Sequence, residues 1–339
     1  MRAVWITRHG GPEVLEVREG ADPVPRAGEV RIRVRAAGLN FAEVMARQGL
    51  YPDAPKPPCV VGYEVAGTVD AAGAGVERPA IGARVLALVR FGGHADAVCV
   101  PAESVLEMPD GPTFEEAAAL PVNYVTAWLM IFRWASVRRG ERVLVHMAAG
   151  GVGIAALQLL RTVPDVVVFG TASAAKHDAI RGEGCTHPID YRSRDYAEEV
   201  RRLAGGDGID VVLDPLGGKD TRKGYDLLRH GGRIVVYGFA NVASGERRSL
   251  LRVLAQGARI PRFNPLDLMS RNRTVAGFNL GHLWKRADLV RGALDDLVAL
   301  WRAGKVKPHV DSTFPFERAA DAHRRMQDRK NVGKIVLVP

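Results

Sequence analysis

A glycine-rich turn between a strand and a helix is the feature that most constrains this 339-residue chain. Residues 148–153 read Ala-Ala-Gly-Gly-Val-Gly; an apolar run over 142–148 precedes them and a helical stretch over 152–161 follows. Such a turn lets backbone approach a pyrophosphate at the positive end of a helix dipole. Because Ala148 replaces the first glycine of G-x-G-x-x-G, a glycine-rich α/β turn that binds no nucleotide remains an alternative.

The residues after this turn alternate between strand and helix patterns. Apolar runs over 166–170, 209–214 and 233–238 are typical of buried strands, and residues 174–182 of a helix. Strands that alternate with helices form βαβ units in a parallel sheet that is covered on both faces. The sequence therefore predicts a doubly wound α/β domain, and this context favours nucleotide binding by the turn.

The first third of the chain has the pattern of a β-rich domain. Residues 30–35 alternate apolar and charged side chains, and residues 60–69 and 83–89 are apolar and β-branched, with glycine turns between them. A helix is predicted over 122–135 and a long amphipathic helix over 284–302. A final strand over 335–338 could return to the sheet of the first part.

Composition excludes several classes of protein. The three cysteines form no C-x-x-C pair, which argues against a disulfide scaffold and a cysteine-rich zinc site. No apolar run approaches the ~18–20 residues of a membrane span, and the N-terminus does not resemble a secretory signal. We therefore expect no transmembrane segment and a cytoplasmic protein. The net charge of +9 is spread along the chain, which makes a nucleic-acid partner unlikely.

The end of the second predicted strand bears on the choice of dinucleotide. A site for NAD places an acidic residue about 20 residues after the first glycine position, but residues 168–176 contain no acid. The hydroxyls of Thr171 and Ser173 and the charge of Lys176 suit a 2′-phosphate. The sequence therefore favours NADPH over NADH. The alternative for Lys176 is an ordinary solvated helix residue.

Four segments carry a family resemblance. They are residues 38–52 (GLNFAEVMARQGLYP), 189–192 (IDYR), 237–240 (YGFA) and 263–268 followed by 272–280, together with the glycine turn. With these motifs the chain resembles the zinc-independent quinone oxidoreductase (zeta-crystallin-like) group of the medium-chain dehydrogenase/reductase superfamily. It is most similar to the subgroup of the synaptic vesicle membrane protein homologue.

The resemblance implies a fold and a set of cofactor contacts. The fold would be a GroES-like catalytic domain, built from residues 1–123 and 265–339, around a Rossmann NADP(H) domain over 124–264. The protein would be a homodimer. The implied cofactor-binding residues are Thr126, Gly150, Gly151, Val152, Gly153, Thr171, Ser173, Lys176, Tyr191, Gly238, Phe239, Ala240, Phe278, Asn279, Leu280 and Lys334, with Asn331 a weaker candidate.

Zinc is not expected in this chain. Zinc-dependent relatives carry a cysteine at the position of Asn40 and Gly-His-Glu where residues 62–64 read Gly-Tyr-Glu. A catalytic zinc needs about three protein ligands and an open position. These matched positions cannot supply such a set, so we predict no metal.

Without zinc, a hydrogen-bond donor must stabilise the charge that hydride transfer places on the substrate oxygen. The resemblance implies this role, or proton donation, for Tyr51, and implies that Asn40 orients nicotinamide or substrate. Tyr51 could instead only shape the pocket. The expected substrate is a quinone or an activated α,β-unsaturated carbonyl compound.

Two alternatives remain open at this stage. An enoyl thioester such as an enoyl-CoA could be the substrate, and the basic residues over 247–262 could then meet its phosphates, unless they form a solvated surface. A non-catalytic NADPH-binding, nucleic-acid-binding or membrane-associated protein is the alternative of another class.

Overall fold

The computed structural model describes residues 1–243 and 245–339. Its first eight strands are β1 (Arg2–Ile6), β2 (Leu15–Glu19), β3 (Glu29–Leu39), β4 (Cys59–Val60), β5 (Glu64–Ala72), β6 (Arg84–Leu88), β7 (Ala97–Pro101) and β8 (Val105–Glu107). The later strands are β9 (Arg142–Val145), β10 (Val167–Ala172), β11 (His187–Asp190), β12 (Ile209–Asp214), β13 (Leu228–Val236), β14 (Thr274–Gly277), β15 (Val310–Pro315) and β16 (Lys334–Val338).

The helices of the described residues lie mostly in the second half of the chain. They are α1 (Phe41–Arg47), α2 (Phe114–Ala118), α3 (Pro121–Trp128), α4 (Gly151–Leu160), α5 (His177–Gly182), α6 (Tyr196–Leu203), α7 (Lys219–Asp226), α8 (Leu250–Gly257), α9 (Pro265–Arg271), α10 (Ala287–Arg302) and α11 (Ala319–Gln327). None of them is long and apolar enough to cross a membrane.

Strand β3 shows how the alternating pattern of the first third builds a sheet. Its apolar residues Val30 and Ile32 are fully buried, whereas Arg31 lies on the other face and forms an ion pair with Asp70 of β5 at 2.8 Å. One face of the strand therefore packs in the core of the β-rich domain and the other carries charge, as the period-2 pattern predicts.

Two sheets form the β-rich domain. The larger one has seven strands in the order β15-β16-β3-β5-β6-β8, with β7 paired to β3, and the smaller one has the order β2-β1-β4. Strand β16 pairs antiparallel with β3, so that Ile335 faces Leu39. The last strand thus returns to the sheet of the first part of the chain. The sequence analysis considered this return for the strand predicted over 335–338.

A six-stranded parallel sheet forms the second domain, in the order β11-β10-β9-β12-β13-β14. The mixed fold, a β-rich domain beside a doubly wound parallel sheet, confirms the predicted fold class. Strand β14 follows residue 264, the predicted end of the inserted domain, and pairs with β13. The parallel sheet therefore extends beyond that predicted boundary.

Several element bounds differ from the predicted ones. The strand predicted over 142–148 ends at Val145, because residues 146–149 already turn toward α4. The helix predicted over 122–135 changes at Leu129 from an α-helix to the wider π-helix Leu129–Trp134. The long helix predicted from residue 284 begins with a 3-10 turn, Trp284–Arg286, before α10.

Candidate active site

A large cleft, with a volume of about 2100 Å³, runs between the β-rich domain and the parallel sheet. Every residue that the sequence analysis singled out for catalysis or cofactor binding lines it, although these residues come from distant parts of the chain. They are Asn40, Tyr51, Thr126, Gly150, Gly151, Val152, Gly153, Thr171, Ser173, Lys176, Tyr191, Gly238, Phe239, Ala240, Phe278, Asn279, Leu280, Asn331 and Lys334.

The glycine turn lies where β9 leads into α4, at one wall of this cleft. Gly150 is the N-cap residue of α4. A side-chain carbon on Gly153 would lie 2.6 Å from the carbonyl of Ala148, and one on Gly151 would lie 2.8 Å from the amide carbon of Asn123. Helix α4 can therefore approach the strand end only with glycine at position 153, whereas Gly151 leaves room for the Asn123 side chain of α3. The free N–H groups at the start of α4 can meet an anion in the cleft.

The C-terminal segment closes against this turn. The Gly333 N–H donates to the carbonyl of Ala149 at 2.9 Å, immediately before β16. Gly333 has φ of +82°, and a side-chain carbon there would lie 2.9 Å from the His309 ring. Glycine thus brings the β-rich domain into direct backbone contact with the glycine turn, which places Lys334 at the cleft.

The predicted adenosine end differs in detail from the expectation. The Thr171 side chain is buried, and its hydroxyl accepts from the Met147 N–H at 3.1 Å and lies 3.2 Å from His146 Nδ1. Lys176 Nζ donates to the backbone carbonyls of Arg329 at 2.7 Å and Asn331 at 2.6 Å. Three residues were predicted to bind the 2′-phosphate. Among the described contacts, only the Ser173 side chain is not already hydrogen-bonded within the protein. Lys176 instead joins the parallel-sheet domain to the segment before β16.

Arg329 is a residue that the sequence analysis missed at this end. Its guanidinium lies 6.0 Å from the centre of the Tyr191 ring, and both residues line the cleft. Burial alone would raise the pKa of the Tyr191 phenol, but hydrogen bonds with Arg329 and Arg192 outweigh it and lower the pKa. The signal available in the sequence was the basic pair Arg329-Lys330 shortly before the predicted last strand.

A buried polar cluster adjoins Asn40 at the centre of the cleft. Lys334 Nζ donates to Asn40 Oδ1 at 2.6 Å and forms an ion pair with Glu64. The Asn40 amide nitrogen donates to Glu64 Oε1 at 3.0 Å and to Glu43 Oε1 at 3.3 Å. Both ends of the Asn40 amide are therefore engaged inside the protein. In this structure Asn40 contacts Lys334, Glu64 and Glu43, and the role in orienting nicotinamide or substrate that the resemblance implies stays a prediction.

Electrostatics in this cluster follow from its burial. Burial raises the pKa of the Glu43 carboxyl to about 8, against the lowering effect of the Lys334 charge. Glu64 keeps an ammonium partner and also accepts from the Val122 N–H at 2.6 Å, at the start of α3. Gly38 leaves room for the ion pair, since a side-chain carbon there would lie 2.6 Å from Lys334 Cε.

Tyr51 lines the same cleft and lies in the segment that follows α1. Its ring packs edge-on against Tyr63, with centroids 6.2 Å apart, and its hydroxyl would lie 3.2 Å from a side-chain carbon on Gly281. Burial raises the pKa of the Tyr51 phenol, and the carboxylates of Asp53 and Glu43 add to the effect. The hydroxyl therefore stays protonated at neutral pH and can donate a hydrogen bond into the cleft.

The predicted nicotinamide side is formed by two loops at the ends of β13 and β14. Gly238 lies against Pro215, where a side-chain carbon would be 2.8 Å from the carbonyl oxygen. Phe278 donates from its N–H to the Val236 carbonyl at 2.9 Å, and its ring packs edge-on against Trp134 at 5.0 Å. Carboxyl ends of adjacent parallel strands thus bring the two predicted segments together.

Metal-binding groups do not converge in residues 1–243 and 245–339: no three His, Cys, Asp or Glu side chains there are placed to share an ion. At the positions where zinc-dependent relatives place ligands, Asn40 and Glu64 bind the Lys334 ammonium. His94 lies 4.0 Å from Glu43, and burial lowers the pKa of its imidazole to about 4.

Comparison with known proteins agrees with the motifs. Residues 26–110 match the family model of the alcohol dehydrogenase GroES-like domain, and residues 183–337 match that of the zinc-binding dehydrogenase. The synaptic vesicle membrane protein VAT-1 homologue of Homo sapiens is 48% identical over 100% of this chain and 86% of its own length. The corresponding protein of Danio rerio is 49% identical over 99% of this chain and 69% of its own length. This chain belongs to the medium-chain dehydrogenase/reductase superfamily, in its VAT-1 subgroup.

Solved structures of the same superfamily have the same fold. The Escherichia coli quinone oxidoreductase complexed with NADPH has a TM-score of 0.88 at 27% identity, covering 100% of both chains. The human VAT-1 homologue-like protein has a TM-score of 0.87 at 42% identity over 100% of this chain and 98% of its own. The CurK enoyl reductase has a TM-score of 0.85 at 28% identity, covering 99% of this chain and 98% of its own. The predicted resemblance is confirmed, and this medium-chain dehydrogenase/reductase is an oxidoreductase.

Proposed function

We propose that this protein is an NADPH-dependent, zinc-independent reductase that transfers hydride to quinones or activated α,β-unsaturated carbonyl compounds. The observation that carries the proposal is the cleft itself, which the glycine turn, Tyr51 and the buried Lys334 all line. The bound cofactor would supply the hydride. The protein would contribute binding, orientation and electrostatic stabilisation.

NADPH is preferred in this proposal because cations gather at the adenosine end. Ser173 and the guanidinium of Arg329 line that end beside Tyr191, and Arg192 acts on the same phenol. The carboxylate of Asp195, which also lines the cleft, is bound by Lys223 at 2.5 Å. Its charge is therefore compensated, and a 2′-phosphate would meet an excess of positive charge.

For the substrate, donors at the cleft would stabilise the oxygen that gains negative charge. The Tyr51 hydroxyl is protonated at neutral pH, and Lys334 has three N–H donors, of which Asn40 and Glu64 take two. Either donor can favour charge that develops on a carbonyl or quinone oxygen. Quinones need little acid assistance, so the Tyr51 hydroxyl matters most for an enal or enone.

An enoyl thioester reductase is the second candidate. Support comes from the CurK enoyl reductase among the structural neighbours and from the exposed arginines 247, 248, 252, 259 and 262, which could meet the phosphates of a CoA carrier. A third candidate of another class is a non-catalytic NADPH-binding protein that binds nucleic acid or membranes. Binding of RNA or vesicles without NADPH oxidation would favour it.

NADPH oxidation across a substrate panel tests these candidates. The panel contains 1,4-benzoquinone, a 2-alkenal and several enoyl-CoAs, each also run with NADH. We expect turnover of the quinone and the alkenal, with NADPH preferred over NADH. Selectivity for enoyl-CoA would overturn the quinone assignment, and a preference for NADH would overturn the role given to Arg329 and Ser173.

We also infer a homodimer that resides in the cytoplasm. The buried free thiols of Cys59 and Cys185 suit a reducing compartment, and a dimer is what the family resemblance implies. Light scattering of the purified protein should give twice the monomer mass of 36.7 kDa. A monomer at micromolar concentration would contradict the inference.

A further inference from the structure

The cleft continues beyond the residues assigned to the cofactor. Its volume of about 2100 Å³ covers the cofactor region and this further part together. Beyond the residues assigned to the cofactor, apolar and aromatic side chains line the cleft beside charged ones such as Arg90 and Arg291. The apolar members include Met45, Leu50, Phe91, Leu283, Trp284 and Ile260.

Two apolar walls face each other in this part of the cleft. On the side of the β-rich domain, aromatic rings follow one another from Tyr51 to Tyr63 at 6.2 Å and on to Phe91 at 5.3 Å. The other wall comes from the segment after β14, where Leu280 and Leu283 pack on the main core. A chain of methylene groups would bury its surface between these walls.

Charged residues that line the same part are paired at its rim. Arg291 binds Asp295 at 3.0 Å and also donates to the Glu103 carbonyl at 3.0 Å. Asp288 is bound by Arg286 at 2.8 Å. The charge of the Asp288 carboxylate is therefore compensated by Arg286. Binding of an apolar ligand between the walls does not have to overcome an unpaired charge there.

Helix α8 extends the apolar lining to the surface of the molecule. Leu250, Val253, Leu254 and Gly257 share one face at positions i, i+3, i+4 and i+7. Val253 and Gly257 line the cleft, whereas Leu250 is 61% exposed and Leu254 is 70% exposed. An apolar stripe therefore runs from inside the cleft to its exit, beside the polar side chains of Arg252 and Gln256, which also line the cleft.

We propose that the substrate carries a long apolar tail, as in an alkyl-substituted quinone or a long-chain enal or enone. The reducible group would lie beside Tyr51, and the tail would pass between Phe91 and Leu283 and leave over the Val253 face of α8. This inference rests on the proposed function and deepens it by naming the substrate class.

A chain-length series tests the proposal. NADPH oxidation is measured with 2-alkyl-1,4-benzoquinones and trans-2-alkenals from the methyl to the decyl member, each below its aggregation concentration. We expect kcat/KM to rise about 2- to 4-fold for each methylene that the walls bury. A series with equal kcat/KM for short and long members would overturn the inference while leaving the proposed function intact. Absence of turnover with every member would instead refute the proposed function.

Two substitutions on α8 form a matched pair. Val253 lines the cleft, whereas Leu251 is 81% exposed, does not line it and projects from nearly the opposite side of the helix. Val253→Asp should remove the gain for the methylenes that reach α8, because a charge on the stripe opposes that end of the tail, and should retain the gain for the shorter members. Leu251→Asp should retain the gain of the unmodified protein. An equal loss of the gain in kcat/KM in both variants would show that any charge added to α8 has this effect. That result would overturn the proposed path of the tail over Val253.

Discussion

Lys334 holds a positive charge inside the protein, 2% exposed, between Asn40 and Glu64. Replacing it with methionine leaves the Glu64 carboxylate buried without its cation, which should lower the free energy of unfolding by about 3–5 kcal/mol. Urea denaturation measures this loss. Lys330→Met, which breaks an exposed pair with Asp328, should change the same quantity by less than about 1 kcal/mol. Equal changes in the two variants would contradict the buried ion pair.

Tyr51 tests whether a hydroxyl in the cleft takes part in catalysis. Tyr51→Phe should lower kcat for an alkenal by roughly 100-fold, the usual range for loss of an acid catalyst, and should hardly change kcat for benzoquinone. Because the pKa of this phenol is raised above its ordinary value of 10.0, the rate with the alkenal should not fall between pH 6 and 9 through its ionisation. Tyr225→Phe, outside the cleft lining, is the control. An unchanged kcat for the alkenal would show that Tyr51 only shapes the pocket and takes no part in catalysis.

His323 in α11 should make the protein sensitive to acid. Its ring is fully buried, neither nitrogen has a hydrogen-bond partner among the described residues, and burial lowers its pKa well below 6.5. The folded protein keeps this imidazole neutral, whereas the unfolded chain binds a proton once the pH falls below about 6.5. Stability should therefore be lost as the pH drops below that value.

Unfolding of His323→Leu between pH 7 and 5 measures this effect. The variant should lose less stability than the unmodified protein, by up to about 1.4 kcal/mol per pH unit below 6.5. His94, whose pKa is lowered to about 4, retains its own contribution. His230→Leu, at an exposed site, should leave the pH dependence unchanged. Parallel stability curves for His323→Leu and the unmodified protein would be inconsistent with a neutral buried ring.

At the scale of the elements, the start of α4 depends on close contact between helix and strand. Gly153→Ala places a carbon 2.6 Å from the Ala148 carbonyl, so the helix must move away from the strand end and the pyrophosphate position. We expect a loss of NADPH affinity of at least 10-fold in a fluorescence titration. Gly292→Ala in α10 meets nothing within 4 Å, so it should keep NADPH affinity and stabilise the helix by up to ~1 kcal/mol. Normal NADPH binding by Gly153→Ala would show that the turn does not hold the cofactor.

Two helices that the sequence analysis missed, α6 and α7, share a physical cause. Helices α6 and α7 carry charged residues at half or more of their positions, and each buries only three residues. The start of α6 is marked by a capping residue and not by a hydrophobic pattern. Asp195 caps this helix by accepting a hydrogen bond from the Ala197 N–H at 2.8 Å. Strand β12, in contrast, is fully buried, and its predicted bounds of 209–214 agree with the structure.

On the scale of the whole molecule, a set of polar contacts joins the β-rich domain to the loop after β13. Gln48 Nε2 donates to the Gly245 carbonyl at 2.8 Å, and Gln327 Nε2 donates to the same carbonyl at 2.6 Å. Arg47 is fully buried beside them and binds Gln327 Oε1 at 2.6 Å. This loop begins at Gly238, so the contacts hold one wall of the cleft against the opposite domain.

Removing these contacts should weaken cofactor binding more than chemistry. The double variant Gln48→Ala, Gln327→Ala should raise KM for NADPH on the order of 10-fold, which corresponds to about 1.4 kcal/mol, with a smaller change in kcat. Steady-state kinetics at saturating benzoquinone measure both constants. Glu16→Gln removes an exposed ion pair with Arg18 elsewhere in the β-rich domain and serves as the control. A fall in kcat with KM unchanged would contradict the positioning role.

Local sequence determined the elements and the chemistry that each can carry. Some features depend on only a few neighbouring residues, so the spacing and hydrophobicity of those residues predict them. They are the period-2 alternation of β3, the apolar run of β12 and the glycines before α4. The residues of the cleft were predicted through the family resemblance, since the motifs at 38–52, 189–192 and 237–240 carry it. The cysteine-poor composition and the Asn40 and Tyr63 positions predicted a site without zinc.

Tertiary structure alone decided how those residues act on one another. Whether Lys176 meets a phosphate or a carbonyl depends on Arg329 and Asn331, more than 150 residues away in the chain. The same holds for Lys334 and Asn40, which are 294 residues apart. Hydrogen bonds and ion pairs act over about 3 Å in space and leave no period in the sequence, so only the packed domains could pair Asn40 with Lys334 and bring Arg329 to the cleft.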